Sequence, residues 1–338
     1  MEDLDTRVLR TAQQWHAQGR PVLLVSVART WGSSPRPPGS LMAIDAQGHT
    51  VGSVSGGCIE DDLIARVREE GIQAVCLEGR PTTVRYGISA DQAHRFGLPC
   101  GGTVELVLEP VAPHSQLEAL LQACQERRSV ERVLDLRSGQ VQLRSSGRDG
   151  MPWLSDTQFV THWGPRWRLI VIGAGDLSRF LSEMALGLGF EVIVCDPRQE
   201  PHASWDLPGV VLSREMPDDL VLRLQPDART AVVALTHDPK LDDLALIDAL
   251  RSSAAYVGAI GSRRHAALRR QRLREHFGLD EDELRRLRSP IGLYIGSKTP
   301  AEIAVSILAE LVAVKNGVAP WAHLSVAEGK ARHEQAMS

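Results

Sequence analysis

The chain has 338 residues, 43% hydrophobic and 24% charged, a composition that builds two ordinary globular cores and excludes an intrinsically disordered chain. Its 38 Lys and Arg against 42 Asp and Glu leave a net charge of −4, which argues against a general nucleic-acid or anionic-membrane binder. The acidic start Met1-Glu2-Asp3-Leu4-Asp5 is not of the secretory kind, the longest apolar stretch (303–314) is too short to span a bilayer, and five cysteines without a Cys-x-x-Cys pair fit free thiols in a reducing cytoplasm.

Val8, Leu9, Ala12 and Trp15 share one face of a helix ending at Gly19, and 21–27 reads as a strand. The prolines of Ser33-Ser34-Pro35-Arg36-Pro37-Pro38-Gly39-Ser40 lack donors and fix φ, which excludes helix and central strand. Residues 41–45 and 50–55 flank Ala46-Gln47-Gly48-His49 as a hairpin. Ile59, Leu63, Ile64 and Val67 then form the apolar face of a helix closed by Gly71, with Cys58 at its start. A strand at 83–88, a loop and an alternating strand at 103–108 complete an N-terminal domain over 1–112.

Residues 113–165 read as a variable connector region: a helix at 115–126, a hairpin at 131–144 and a covering loop at 145–165. Strands at 168–172, 191–195, 230–235 and 256–260 then alternate with helices at 176–188 and 241–250. That alternation predicts a Rossmann-like domain over 166–320. Thr299-Pro300-Ala301-Glu302 is a capping box that opens a last helix, and 321–338 is a polar tail. The expected fold class is α/β, a small N-terminal α/β domain plus a C-terminal doubly wound parallel sheet.

Two cysteines sit against paired glycines, in Ser55-Gly56-Gly57-Cys58-Ile59-Glu60 and Leu98-Pro99-Cys100-Gly101-Gly102. Glycine pairs free the backbone from Cβ sterics and leave room for another molecule. Cys58 at a helix start is expected to ionise more readily, through the helix dipole and free N–H groups, with Glu60, Asp61 and Asp62 opposing. The competing reading of both cysteines is a small residue filling a tight turn. Cys76, Cys124 and Cys195 lie in apolar surroundings and read as core.

Ile172-Gly173-Ala174-Gly175-Asp176-Leu177-Ser178 matches G-x-G-x-x-G except at Ser178, and Asp196 ends the next strand 21 residues beyond Gly175. In a dinucleotide fold Gly173 and Gly175 admit a pyrophosphate and Asp196 binds ribose hydroxyls. Asp176 places a negative charge there, so an altered nucleotide site is an equal reading. His237 and Asp238, after the third strand of this domain, face the ligand crevice or form a capped turn. Ser262 and Arg263, after the fourth, make an anion clamp or belong to a solvated basic face with Arg269, Arg270, Arg272 and Arg274.

Taken together these segments resemble the XdhC/CoxI family, the accessory factors of xanthine dehydrogenase and related molybdenum hydroxylases. The resemblance is carried by Gly32-Ser33-Ser34-Pro35-Arg36 with Gly39, Met42 and Gly52, by Ser55 to Glu60, and by Cys100-Gly101-Gly102. In the Rossmann part it is carried by Gly173-Ala174-Gly175, Asp196-Pro197-Arg198, Thr236-His237-Asp238, residues 256–263, Pro290-Ile291-Gly292-Leu293 and residues 299–304. It spans about 22–314, less the middle region. Many members have His after Gly-Ala-Gly, where this chain has Asp176.

The resemblance implies a maturation factor rather than an enzyme. Such a chaperone binds molybdenum cofactor, as molybdopterin or its cytosine dinucleotide form, ahead of NAD. It supports sulfuration by a cysteine desulfurase and passes the cofactor to the large subunit of a molybdenum hydroxylase. Ser34, Arg36, Gly56, Gly57, Gly101 and Gly102 would surround the cofactor, with Cys58 and Cys100 as soft metal ligands, and the protein is expected to be a homodimer. The rival expectations are an NAD(P)-dependent oxidoreductase, in which Asp196 selects NAD, and a sulfurtransferase carrying a persulfide on Cys58.

Overall fold

Val22 to Val27 alternate with both faces apolar, so this segment has to lie at the centre of a sheet. A computed structural model describes the chain except residues 1–3, 33–35, 77, 88–101, 147–149, 199–204, 237, 319–323, 327, 330–334 and 336–338, with Cys58 described by its backbone alone. The chain divides into two units, residues 2–165 and 166–338.

The first unit runs α1 (Leu4–Ala17), β1 (Val22–Trp31), β2 (Leu41–Asp45), β3 (Thr50–Gly52), α2 (Cys58–Glu70), β4 (Thr82–Tyr86) and β5 (Thr103–Pro110). Its five strands form an antiparallel sheet in the order β3-β2-β1-β5-β4. One face buries Leu23, Val25, Val27, Leu106 and Leu108 against Ile59, Leu63 and Val67 of α2. The other buries Leu24, Leu41 and Ala43 against Val8, Leu9 and Ala12 of α1 and Leu117 and Leu120 of α3 (Leu117–Gln125). β1 extends to Trp31, beyond the expected end at 27, through an irregularity between Val27 and Arg29.

Residues 145–165, expected as a covering loop, instead supply two strands. A four-stranded sheet forms from β6 (Val130–Asp135), β7 (Val141–Ser145), β8 (Trp153–Leu154) and β9 (Gln158–Trp163), in the order β7-β6-β9-β8. β9 pairs along all of β6, from Val130 opposite Trp163 to Asp135 opposite Gln158. Leu134, Val141, Leu154 and Phe159 pack on Ala28 and Val107 of the first sheet. Arg132 Nη2 donates to Glu109 Oε1 at 2.6 Å and to the Ser115 carbonyl at 3.1 Å, an ion pair buried to 5% and 4% side-chain exposure.

The second unit carries β10 (Arg168–Ile172), α4 (Asp176–Gly187), β11 (Glu191–Cys195), β12 (Val210–Ser213), α5 (Pro217–Leu224), β13 (Thr230–Ala234), α6 (Pro239–Arg251), β14 (Tyr256–Ala259), α7 (Arg263–Phe277), β15 (Leu287–Arg288) and α8 (Pro300–Lys315). All six strands are parallel, in the order β12-β11-β10-β13-β14-β15. Numbered from β10, this is the 3-2-1-4-5-6 order of a doubly wound dinucleotide fold, whose ligand crevice opens at the carboxyl ends of the strands. Ile170, Ile172 and Val232 pack toward α5 and α6, and Leu169, Val171 and Val233 toward α4 and α8. The edge strands β12 and β15 escape the sequence reading, one exposing Val211 and Leu212 and the other only two residues long. Inside the unit Tyr256 Oη and the Gly292 N–H both donate to Glu310 Oε2, at 2.6 and 2.8 Å, and bind α8 to β14. No helix among the described residues is long and apolar enough to cross a membrane.

Removing one partner of a buried ion pair strands the other charge, at a cost of about 3–5 kcal/mol. Arg132→Ala is therefore expected to lower stability by about that amount in urea unfolding of the full chain. The double variant Arg132→Leu with Glu109→Leu is expected to recover most of the loss; a single variant as stable as wild type would show that the pair holds nothing.

Candidate functional site

Strand register brings the described candidates of the first unit to one sheet edge. Trp31, at the end of β1, lies opposite Thr103 at the start of β5, and Tyr86, at the end of β4, lies opposite Val104. β3 runs in the same direction as β1, so the chain leaves Gly52 toward that edge and reaches Cys58 at the first residue of α2. Tyr86 Oη donates to Asp62 Oδ2 at 2.8 Å and ties α2, one turn in from its start, to the end of β4. The Thr103 hydroxyl donates to the Gly87 carbonyl at 3.1 Å, and Gly102 is buried beside it. Arg36 is half-buried in the connection from β1 to β2, which opens at the same edge. Cys100, Gly101 and Ser34 lie outside the described residues, as does the side chain of Cys58.

The loop before Cys58 is organised by Glu60. Its Oε1 accepts the Ser53 hydroxyl at 2.7 Å and the N–H groups of Val54, Ser55 and Gly56 at 2.9, 2.8 and 2.9 Å. Its Oε2 accepts the Gly57 N–H at 2.9 Å and the Ser55 hydroxyl. Gly56 sits at φ +88°, the left-handed region that side chains rarely adopt, and this bend points successive N–H groups inward. A carboxylate three positions into the helix thus takes the N–H groups of the four residues that lead into Cys58. Burial of Glu60 opposes its ionisation, but the hydrogen bonds from Ser55, Gly56 and Ser53 outweigh it and lower its pKa to about 2. Gly56 and Gly57 are exposed, and among the described residues a Cβ at either would meet nothing within 4 Å.

The remaining cysteines differ from one another. Cys76 and Cys195 are fully buried, and burial pushes both thiols up to about 12, with Glu215 and Asp196 adding to the effect at Cys195. Cys124, expected in the core, is half-buried on α3.

In the second unit the strand ends carry the other candidates. Gly173 follows β10 at φ +103°, and a Cβ there would lie 2.8 Å from Thr236 Cγ2, so the position admits only glycine. Gly175 caps α4 and is exposed, and among the described residues a Cβ there would meet nothing within 4 Å. Asp196 is wholly buried at the end of β11. Its Oδ2 accepts the Ala174 N–H at 2.9 Å and Arg198 Nη2 at 2.7 Å, and its Oδ1 accepts Arg198 Nε at 2.8 Å and the Arg198 N–H at 3.1 Å. Burial opposes ionisation of Asp196, but Arg198 and the Ala174 N–H hold its carboxyl below the usual range. Arg198, which the sequence reading leaves out of the site, is held protonated by Asp196 and, at longer range, by Asp238 and Asp242.

Asp238 caps α6 through the Lys240 N–H at 2.9 Å, and Ser262 caps α7 through the His265 N–H at 3.1 Å. Arg263 is exposed at the first turn of α7; His237 lies outside the described residues. The other arginines of α7 do not form one solvated face. Arg269, buried, donates to Asp242 at 2.9 Å, to Asp243 at 3.0 Å and to the Ile260 carbonyl at 3.0 Å, while Arg272 chelates Asp243. Thr236 donates its hydroxyl to Asp242 at 2.7 Å, so this network joins the ends of β13 and β14. Burial raises the Asp242 pKa despite those bonds.

Two outcomes follow from these electrostatics. Glu60→Gln presents an amide to donors that want an anion and is expected to cost about 2 kcal/mol once solvent screening of the half-buried group is allowed for. The wild-type pKa lies below its ordinary 4.5, so Glu60 contributes its full stabilisation above that pH and loses it as the pH falls toward 2. Thermal unfolding across this window should show the loss in wild type and not in the variant; parallel curves would remove Glu60 from the account. Asp176, exposed at the open start of α4, repels anions there, and Asp176→Asn is expected to tighten CDP about fivefold in calorimetry, ~1 kcal/mol. No change would make the loop purely structural.

Comparison with known proteins fits this geometry. Residues 15–87 match the family model described as XdhC and CoxI family, and residues 169–311 that described as XdhC Rossmann domain. The chain is 28% identical over 309 residues to an Escherichia coli K12 protein named molybdenum cofactor insertion chaperone PaoD, covering 91% of this chain and 88% of that one. It is 26% identical over 325 residues to a Bacillus subtilis 168 protein named as a probable xanthine dehydrogenase subunit, covering 88% and 94%. A crystal structure described as a xanthine dehydrogenase from Bacillus halodurans superposes with a TM-score of 0.73 at 26% identity, over 96% of this chain and 100% of that one. With both units matched in chain order, the protein belongs to the XdhC and CoxI family.

Proposed function

We propose that the protein is a molybdenum cofactor chaperone that holds the cofactor during sulfuration and delivers it to a xanthine dehydrogenase-type molybdenum hydroxylase. The observation that carries this reading is similarity over 91% of the chain to a protein named for cofactor insertion. When bound, the cofactor supplies a thiophilic metal centre on an anionic pterin that bears a phosphate. The residues fit such a group: Cys58 begins α2, after a loop whose Gly56 and Gly57 are exposed.

Cys58 and Cys100 hold the metal side, with Ser34, Arg36, Gly56, Gly57, Gly101 and Gly102 around it. Glu60 keeps the loop in one shape, so the backbone that leads into Cys58 needs no reorganisation. Taken by itself, the second unit offers the start of α4, near Gly173 and Gly175, to a phosphate or pyrophosphate group. Asp238, Ser262, Arg263 and the Asp196–Arg198 pair border that crevice, and His237 is proposed to act with them. A cysteine desulfurase donates the sulfur, the large hydroxylase subunit receives the cofactor, and a cytoplasmic homodimer does the work. The strand order of β10 to β15 supports a nicotinamide reading as the alternative. Against it, the Asp196 oxygens already accept from Ala174 and Arg198 instead of standing ready for a ribose diol.

Protein purified from cells that make the cofactor is expected to carry molybdenum and pterin together. Cys58→Ala is expected to weaken retention roughly tenfold, ~1.4 kcal/mol, while Cys124→Ala behaves as wild type. Equal retention by the two folded variants would take Cys58 out of the site. Wild type without molybdenum or pterin, but saturable by NADH in a fluorescence titration, would replace the chaperone reading by the nicotinamide one.

A further inference from the structure

Trp31 ends β1 at the sheet edge where Cys58 begins α2, and it remains 45% exposed. Arg29 of β1, Glu105 of β5 and Arg85 of β4 stand directly opposite one another across three neighbouring antiparallel strands, so their side chains share one face. Glu105 is buried to 4% and holds both guanidiniums: Arg85 Nε lies 2.7 Å from Oε1 and Arg29 Nη1 3.3 Å from Oε2. Arg29 Nη2 also donates to the Leu154 carbonyl of β8. The Arg85 guanidinium sits 5.7 Å from the centroid of the Trp31 ring.

Two cations on one buried anion leave a net positive charge beside an exposed indole. The buried carboxylate fixes the guanidiniums before any ligand arrives, so little side-chain freedom remains to be lost on binding. An aromatic face flanked by an oriented guanidinium suits a planar ring that stacks on the indole and places its anionic group on the cation. We infer that Trp31, Arg85 and Arg29 form a stacking platform for a planar anionic heterocycle. Its identification as the pterin of the cofactor rests on the function proposed above; a pyrimidine nucleotide shares the same chemistry.

The test is titration of the full chain with pterin-6-carboxylate, read by quenching of pterin fluorescence, and with CMP, read by calorimetry. Saturable pterin binding is expected, weakened about tenfold in Trp31→Ala and Arg85→Ala, mostly retained in Trp31→Phe, and unchanged in Arg285→Ala, an exposed arginine of the other unit. CMP bound in place of pterin, with the same pattern of losses, supports the platform and assigns it to the nucleotide end. Equal affinities in all variants, or no binding of either probe, overturn it. Cofactor retention by the same preparations separates this inference from the function. Wild type that carries no molybdenum sinks the chaperone reading, whereas wild type and Trp31→Ala that retain it equally sink the platform alone.

Discussion

Ionised Glu60 sets the path of the chain between β3 and α2. Four backbone N–H groups and two hydroxyls converge on its two oxygens. Without that anion, the left-handed bend at Gly56 would aim several donors at one empty point in a half-buried turn. The start of α2, the placement of Cys58 and the reach of Tyr86 to Asp62 all follow from this turn.

The second unit solves the same problem in the same way. Ala174, between Gly173 and Gly175, gives its N–H to Asp196, an acid from the next strand. In both units a glycine turn that is open to solvent on one side is held from the other by an internal carboxylate. The turn is therefore stiff before it meets a ligand, and some donors usually assigned to the ligand are already committed to the protein. That arrangement favours modest affinity with little rearrangement on binding.

Much of this architecture is legible in the residues. Apolar spacing marks α2, and the alternation of buried strands with amphipathic helices marks β10, β11, β13 and β14. Thr299 to Glu302 announces its capping box, and the structure forms it. The strands β8, β9, β12 and β15 are hidden because they are short or polar, and their identity comes from partners far away in sequence. Arg269 is hidden for a related reason: a helix with many arginines looks solvated until Asp242 and Asp243 arrive from α6. The Arg29–Glu105–Arg85 row exists only once β1, β5 and β4 are in register. For Glu60 the local signal is present, an acid at the third helical position, but the Ser53–Gly57 bend that turns a helix cap into a complete anion shell is not.

The two fully buried thiols have a consequence for chemistry on the intact protein. Cys195 donates its Sγ–H to the Glu215 carbonyl at 3.3 Å, and both it and Cys76 titrate near 12, so neither offers a thiolate under ordinary conditions. Each lies in the core of a different unit, Cys76 under α2 and Cys195 beneath α5. A brief exposure to an alkylating reagent near neutral pH therefore leaves both untouched while the fold is closed. Label on Cys76 becomes a report that the first core has opened, and label on Cys195 the same report for the second, so the chain carries a separate built-in sensor of integrity in each half.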